Sequence, residues 1–235
     1  MSALLTPAPR SASQMRHVFL ETNWLVAVAA PAHNRPPAAM ELLDSAKDGR
    51  IRIYVPACCI REARKTIQQK FQPKEADRLR SYVRWAVEQE VLDHETAEAA
   101  RRMLSSFQEH VTSEIKIVND RLREVTRAAG VDVLHLDDAV LNMSLELHFK
   151  EIELTEFDRA VLAVVLIKGR SLRDSGEVDV NFCEPDSGLW PWQKKTDQPR
   201  AELKKLYDDA GIRVYSDFTL TTRERPEGPS QAHSQ

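Results

Sequence analysis

Short segments that favour β-strands alternate along this chain with longer segments that favour helices. The strand-like segments are rich in apolar β-branched and aromatic residues, whereas the helical ones repeat apolar residues every three or four positions. Parallel strands need long crossover connections, usually helices, so the alternation predicts an α/β fold, with a central parallel sheet in a three-layer α/β/α sandwich. The predicted strands span residues 17–20, 51–55, 131–136, 178–182 and 212–215, and the predicted helices 38–47, 60–71, 138–150, 157–167 and 200–210.

Residues 73–130 interrupt this alternation with a highly charged segment that lacks strand signals. Its second half predicts one long helix, preceded by another, and Gly130 is typical of a helix end. Two interpretations remain open: an antiparallel helical arm, or a helical layer packed on the core. The apolar seam of the long helix consists of Leu104, Phe107, Val111, Ile115, Val118, Leu122 and Val125.

Length and composition predict one core domain with an insertion. The chain has 235 residues, of which 42% are hydrophobic and 29% charged. The folded domain is expected to span residues 16–222. Residues 1–15 and 223–235 lack apolar periodicity and carry Pro or Ser, so both segments are predicted to be disordered.

The charge and the cysteines narrow the functional classes. A net charge of -3 gives no bulk basic field, so any contacts to phosphate must come from local patches. The three cysteines show no CxxC spacing, which argues against a disulfide framework. No apolar run reaches membrane-spanning length, and the first residues lack the apolar core of a signal peptide. We expect a cytoplasmic protein without membrane association.

Four acidic residues each lie beside a predicted strand or helix. Glu21 follows the first strand directly, and Asp186 follows the fourth by a few residues. Glu62 lies in the first turn predicted for the helix at 60–71, and Asp158 begins the apolar helix at 157–167. Ligands collect beyond the carboxyl ends of parallel strands, so these side chains are predicted to converge there. Carboxylates gathered in this way suit Mg²⁺ or Mn²⁺.

Each acid also has a simpler interpretation. Asp158 stands three residues after Thr155, as in a capping box, and capping can coexist with metal binding. The helix dipole favours Glu62 as a solvated side chain, and Asp186 lies in an ordinary turn composition. Glu21 is harder to explain this way, because an acid directly after a buried strand loses hydration unless it is paired. The joint pattern favours a site.

The order of five motifs resembles a PIN domain, a metal-dependent ribonuclease fold with a central parallel sheet. The motifs are FLETN (19–23), VPACCIRE (55–62), EFDRAVLAVV (156–165), NFCEPDSGLWPW (181–192) and GIRVY (211–215). The resemblance implies that Glu21, Glu62, Asp158 and Asp186 are the catalytic metal ligands, with Asn23 and Glu184 as auxiliary residues. It also implies that phosphodiester bonds are hydrolysed with the help of one or two divalent ions.

Two positions depart from the family pattern. Glu21 stands where the family usually has Asp, so its carboxylate is one methylene longer. Gly188 stands where a second loop acid is often found, and Glu184 is the only nearby substitute. These departures support a second hypothesis, in which the chain is a catalytically weakened PIN-fold module that binds nucleic acid or serves as a scaffold.

The functional prediction is a divalent-metal-dependent endoribonuclease with RNA as substrate, and a toxin-like role is one option. A structure-specific DNA nuclease is a further alternative, and the partners considered are a second copy of the chain or an inhibitory protein. Basic residues flanking the acids are predicted to contact the nucleic-acid backbone, although a solvated helix face would have the same composition. These residues are Arg61, Arg64, Lys65, Lys194 and Lys195.

Overall fold

The computed structural model describes residues 15–71, 75–150 and 152–220, and within them it contains a single five-stranded sheet. All strand pairs are parallel, in the order β3-β2-β1-β4-β5. The predicted α/β fold with a central parallel sheet is therefore confirmed. The strands are β1 (Arg16–Leu20), β2 (Ile51–Pro56), β3 (Val131–Leu134), β4 (Val180–Cys183) and β5 (Ile212–Tyr215).

Helices flank this sheet, and the strand order places them on both of its faces. The chain moves outward from β1 to β3 and then returns to β4 and β5 on the other side of β1. Because such crossovers are right-handed, the reversal changes the face on which the helices lie. The helices are α1 (Thr22–Ala29), α2 (Pro37–Lys47), α3 (Ala57–Phe71), α4 (Glu75–Glu88), α5 (His94–Val125), α6 (Asp138–Phe149), α7 (Glu156–Asp174) and α8 (Ala201–Ala210).

The core lies around the central strands and α7. Phe19 in β1 pairs in register with Tyr54 of β2 and Phe182 of β4, and both phenylalanines are fully buried. The side chains of residues 161–166 in α7 are all buried, as the apolar run predicted. Trp24 is also fully buried, and its Nε1 donates to the Ala39 carbonyl at 3.1 Å. Each large buried side chain stabilises the fold by about 1.5–3 kcal/mol.

The insertion is both an arm and a layer. The C-terminal part of α5 packs on the main core through Val118, Leu122 and Val125. Its N-terminal part pairs with α4 in a separate small cluster that includes Val83 and Leu104. The two interpretations of the sequence each describe one half of α5. We call α4 and the part of α5 that packs against it the helical arm.

Several predicted boundaries need correction. Helix α3 begins at Ala57 and not at residue 60, because burial of Cys59 and Ala63 extends the apolar face by a turn. Glu62 therefore lies in the second turn, where the helix dipole acts less on its charge. Strand β2 ends at Pro56, one residue later than predicted. Strand β4 begins at Val180, two residues later than predicted.

Other predictions concern cysteines, membranes and the chain ends. Cys59 and Cys183 are buried free thiols, and Cys58 is a half-buried one. None of the helices in the described segments combines the length and apolar character needed to cross a bilayer. The two segments predicted to be disordered lie outside the described residues, apart from Met15.

Candidate functional site

A cleft of about 260 Å³ opens where the strand order reverses, at the carboxyl ends of β1 and β4. A reversal point of this kind is where ligands bind in open parallel sheets, because the helices on either side diverge there. All four acids predicted to converge line this cleft, as does the auxiliary Asn23. The acidic residues lining it are Glu21, Glu62, Asp158, Glu184 and Asp186.

Glu21 enters the cleft from the end of β1. It is the N-cap of α1, and its Oε1 accepts a hydrogen bond from the Asn23 backbone amide at 3.0 Å. The residue is only 6% exposed. Burial raises the pKa of Glu21 to about 7, with a further contribution from the charge of Asp186, although the Asn23 hydrogen bond opposes the shift.

Glu184 occupies the equivalent position after β4 and is the most deeply buried acid of the cleft, at 3% exposed. Its backbone N–H donates to the Tyr215 carbonyl at 2.8 Å, which holds it against β5. Burial raises the pKa of Glu184 to about 10, and the negative charges of Glu21, Asp186 and Asp158 add to the shift. Glu184 therefore carries its proton at neutral pH.

Asp158 is fixed by the start of α7. Its backbone amide donates to the Thr155 hydroxyl oxygen at 3.1 Å, and that hydroxyl donates to Asp158 Oδ2 at 2.8 Å. The capping interpretation and the site interpretation are thus both satisfied by one residue. Gly188 faces this carboxylate, since a Cβ built on it would lie 3.6 Å from Asp158 Oδ2. The position that lacks the expected acid is therefore part of the cleft wall.

Asp186 and Glu62 form the outer part of the cleft. Asp186 is exposed and precedes the short 3-10 helix Ser187–Leu189, to which its side chain makes no capping hydrogen bond. Glu62 is half-buried, and its Oε1 lies 3.6 Å from Lys65 Nζ. That ion pair is exposed and worth little in water, so Glu62 can exchange it for another cation.

The loop between β4 and α8 is held by hydrogen bonds to its backbone. Arg200 Nη1 donates to the Gly188 carbonyl at 2.7 Å, and its Nη2 donates to the Glu153 carbonyl at 3.4 Å. The Tyr207 hydroxyl donates to the Leu189 carbonyl at 3.0 Å. Trp190 Nε1 donates to the Glu184 carbonyl, and its half-buried ring packs against Trp192. The two tryptophans thus pack within the loop.

The basic residues predicted to contact nucleic acid do not line the cleft. Arg61, Arg64 and Lys65 are exposed on α3, and Lys65 is paired with Glu62. Lys194 and Lys195 are exposed in the loop before α8. No lysine or arginine among the described residues lines this cleft, so its electrostatic character is acidic.

The acidic side chains of the cleft have the chemistry that a hard divalent cation prefers, but their present arrangement does not form a metal-binding group. Oxygen ligands and clustered negative charge are what Mg²⁺ and Mn²⁺ favour, and a bound cation would displace the proton that the raised pKa keeps on Glu184. Across the described ranges, however, no three His, Cys, Asp or Glu side chains form a group that could hold one ion. Metal binding would therefore require the outer carboxylates to rotate inward.

Three features of the site were not predicted from the sequence. Thr22 is 7% exposed and lines the cleft, and its hydroxyl oxygen has no hydrogen-bond partner among the described residues. Arg200 holds the loop through hydrogen bonds to the Gly188 and Trp190 carbonyls. Glu184 is the most deeply buried acid of the cleft, and the sequence signal for this burial was the one used for Glu21: an acid directly after a buried parallel strand.

A larger cleft of about 430 Å³ lies beside β5, lined by residues such as Trp192, Tyr207 and Tyr215. It does not contain the clustered acids, so its size does not make it the better candidate. Comparison with protein-family models, curated proteins and solved structures finds no match to this chain. The functional argument therefore rests on the geometry of the acidic cleft.

Proposed function

We propose that this chain is a PIN-like, divalent-metal-dependent nuclease that hydrolyses RNA. The observation that supports the proposal is the convergence of five acids from four segments of the chain in one cleft at the point where the strand order reverses. Burying two of them beside one another is unfavourable without a compensating cation, because burial penalises the charged carboxylate. A cation-binding role explains why the fold tolerates this arrangement.

Glu21, Asp158, Glu184 and Asp186 are the residues that would hold the cation. A bound Mg²⁺ or Mn²⁺ would supply an activated water and stabilise the charge that develops on the phosphate. Thr155 orients the Asp158 carboxylate, and the Asn23 amide orients that of Glu21. Arg200 keeps the loop carrying Asp186 and Gly188 in place. Without a cation, the proton on Glu184 relieves the mutual repulsion of the acids.

Two observations favour the weakened PIN-fold module as a second candidate. Within the described part of the chain, no three candidate ligands form a metal-binding group in this conformation. Gly188 also leaves the wall opposite Asp158 without a carboxylate. On this hypothesis the cleft retains the acids but binds metal too weakly to support catalysis.

Cation binding can be tested by thermal melting with and without Mn²⁺. Binding of a ligand to the folded state at about 100 times its Kd stabilises the protein by about 2.7 kcal/mol. We expect wild type to be stabilised and Asp158→Asn to lose most of the effect. Asp174→Asn is the matched control, since Asp174 is an exposed residue of the same helix.

Cleavage is tested with labelled RNA and DNA in Mn²⁺ and in EDTA. The proposal predicts RNA cleavage that requires Mn²⁺ and is lost in Asp158→Asn but retained in Asp174→Asn. Preferential cleavage of DNA would instead support a structure-specific DNA nuclease. An absence of cleavage and of any stabilisation by Mn²⁺ would reject the nuclease and leave the weakened module.

A further inference from the structure

The helical arm contains a second cleft that is basic, of about 310 Å³, formed between α4 and α5. Arg80 and Arg84 lie one helical turn apart on α4, and Arg101 faces them from α5. Residues four apart share a face of a helix, so the first two guanidinium groups reach the same side. The hydroxyl of Ser105, one turn beyond Arg101, completes the polar lining.

Packing beneath the arginines fixes the shape of this cleft. Val83 and Leu104 form its apolar floor, and each is only 4% exposed. They belong to the small core that holds α4 against α5. The spacing of the arginines is therefore set by a packed helix pair and does not depend on a loop.

The charges in the cleft are largely uncompensated. Arg80 has weak contacts, to Asp77 Oδ1 at 3.3 Å and to Gln108 Oε1 at 3.5 Å. Neither Arg84 nor Arg101 forms an ion pair or hydrogen bond with any residue in the described segments. Like charges held close together without partners are unfavourable, so the arrangement favours an anionic ligand.

We infer that this arginine cleft binds the phosphate backbone of the single-stranded RNA on which the acidic cleft acts. The inference rests on the proposed nuclease function. Guanidinium groups present planar pairs of N–H donors that match the oxygens of a phosphodiester. Phosphate contacts fix the position of a nucleic acid without reading its sequence.

The acidic cleft itself explains why a separate anchor is needed. The ionised acids of this cleft repel a phosphate backbone until a cation is bound, and the protein has a net charge of -3. No lysine or arginine among the described residues lines the acidic cleft to offset that repulsion. The arginine cleft shares no lining residue with the acidic cleft, so the arm can hold RNA while the acids remain free for the cation.

The test measures binding of a labelled single-stranded oligouridylate by fluorescence anisotropy in EDTA, where no metal-dependent cleavage occurs. The variants are Arg84→Ala and Arg101→Ala, alone and together. Arg102→Ala is the matched control, because it removes the same charge from a neighbouring position that does not line the cleft. Thermal melts establish that each variant is folded.

Each phosphate contact to a single strand contributes a slope of about −0.7 in log K against log salt. We expect each arginine variant to reduce the steepness by about 0.7, the double variant by about 1.4, and Arg102→Ala to leave it unchanged. The inference is overturned if Arg84→Ala and Arg101→Ala behave like Arg102→Ala. It is also overturned if inorganic phosphate binds with this arginine dependence whereas RNA does not.

The same variants separate this inference from the proposed function. If RNA binding requires the arginines but neither wild type nor any variant cleaves RNA, the inferred RNA-binding role of the arginine cleft is supported and the proposed nuclease function is rejected. If wild type cleaves RNA and the arginine variants bind and cleave it equally well, the nuclease function is supported and the RNA-binding role of the arginine cleft is rejected. Asp158→Asn should bind RNA as wild type does in EDTA, since it lies in the other cleft.

Discussion

Replacing Glu184 with Gln should stabilise the metal-free protein at neutral pH. Glu184 is 3% exposed, and its pKa is raised from 4.5 to about 10, first by burial and then by neighbouring negative charges. The folded state therefore binds a proton that the unfolded chain releases above pH 4.5. Raising the pH consequently favours the unfolded chain, and this continues until the pH reaches the pKa of the folded state.

The size of this destabilisation follows from the interval between pH 4.5, the pKa of the unfolded state, and the pH of the measurement. One pKa unit corresponds to about 1.36 kcal/mol, so at pH 7 the protonation of Glu184 costs the fold about 3 kcal/mol. Gln has nearly the same shape and needs no proton, so Glu184→Gln should recover that free energy of unfolding. In a chain of this size, the melting temperature should rise by about 10 °C at pH 7.

The assay is urea unfolding in EDTA at several pH values between 5 and 8. The difference in the free energy of unfolding between variant and wild type should grow by about 1.4 kcal/mol per pH unit and be small at pH 5. Glu153→Gln is the control, because Glu153 is exposed in a nearby segment, and it should change stability by less than about 0.5 kcal/mol.

Two outcomes would refute the reasoning. Equal stability of Glu184→Gln and wild type at pH 7 would mean that burial does not hold a proton on Glu184. A difference that does not change with pH would mean that the gain comes from packing. If the acids bind Mn²⁺, adding it should reduce the difference in the free energy of unfolding between Glu184→Gln and wild type, since the cation stabilises wild type more than the variant.

Three further substitutions test the loop, the cleft wall and the fold. Gly188→Asp adds a carboxylate beside Asp158, so Mn²⁺ should raise its melting temperature more than that of Gly188→Asn; equal rises would contradict this. Arg200→Ala removes hydrogen bonds to the Gly188 and Trp190 carbonyls. The loss should cost about 1–3 kcal/mol and speed amide exchange at residues 186–190, whereas unchanged exchange would contradict a role of Arg200 in holding the loop. Gly130→Ala would place a Cβ 2.3 Å from the Ala46 carbonyl oxygen, at a residue whose φ is +78°. Gly49 has a similar φ of +71° but open space around it, so thermal melts should show a larger loss of stability for Gly130→Ala than for Gly49→Ala. Similar losses of stability would contradict the steric argument.

Local patterns were enough to predict most elements. Runs such as 17–20 and 212–215 have the period and composition of buried strands, and β1 and β5 lie there. Boundaries were less predictable where tertiary burial extends an element. Helix α3 starts three residues early because Cys59 packs inside, and α7 continues to Asp174, beyond the predicted end at 167.

The arm shows a different limit of local information. The same apolar seam packs on the core at Val118 and Leu122 and on α4 at Leu104. Periodicity indicates that one face of α5 is covered, but it does not indicate by what. The arginine cleft was missed for the same reason, since Arg84 and Arg101 come together only when α4 and α5 pair.

The sequence by itself determined the α/β class, because the class depends on local periodicity. It also determined that Glu21 and Asp186 follow strands and that Glu62 and Asp158 lie near the beginnings of helices, because these positions depend on local periodicity and capping. Only the tertiary structure decided that β1 lies beside β4. That pairing joins segments more than 160 residues apart in the chain, and it buries Glu184 next to Glu21. Burial raises the pKa of both residues, and negative charge adds to it, from Asp186 for Glu21 and from Glu21, Asp186 and Asp158 for Glu184. Neither effect exists until the two strands are adjacent.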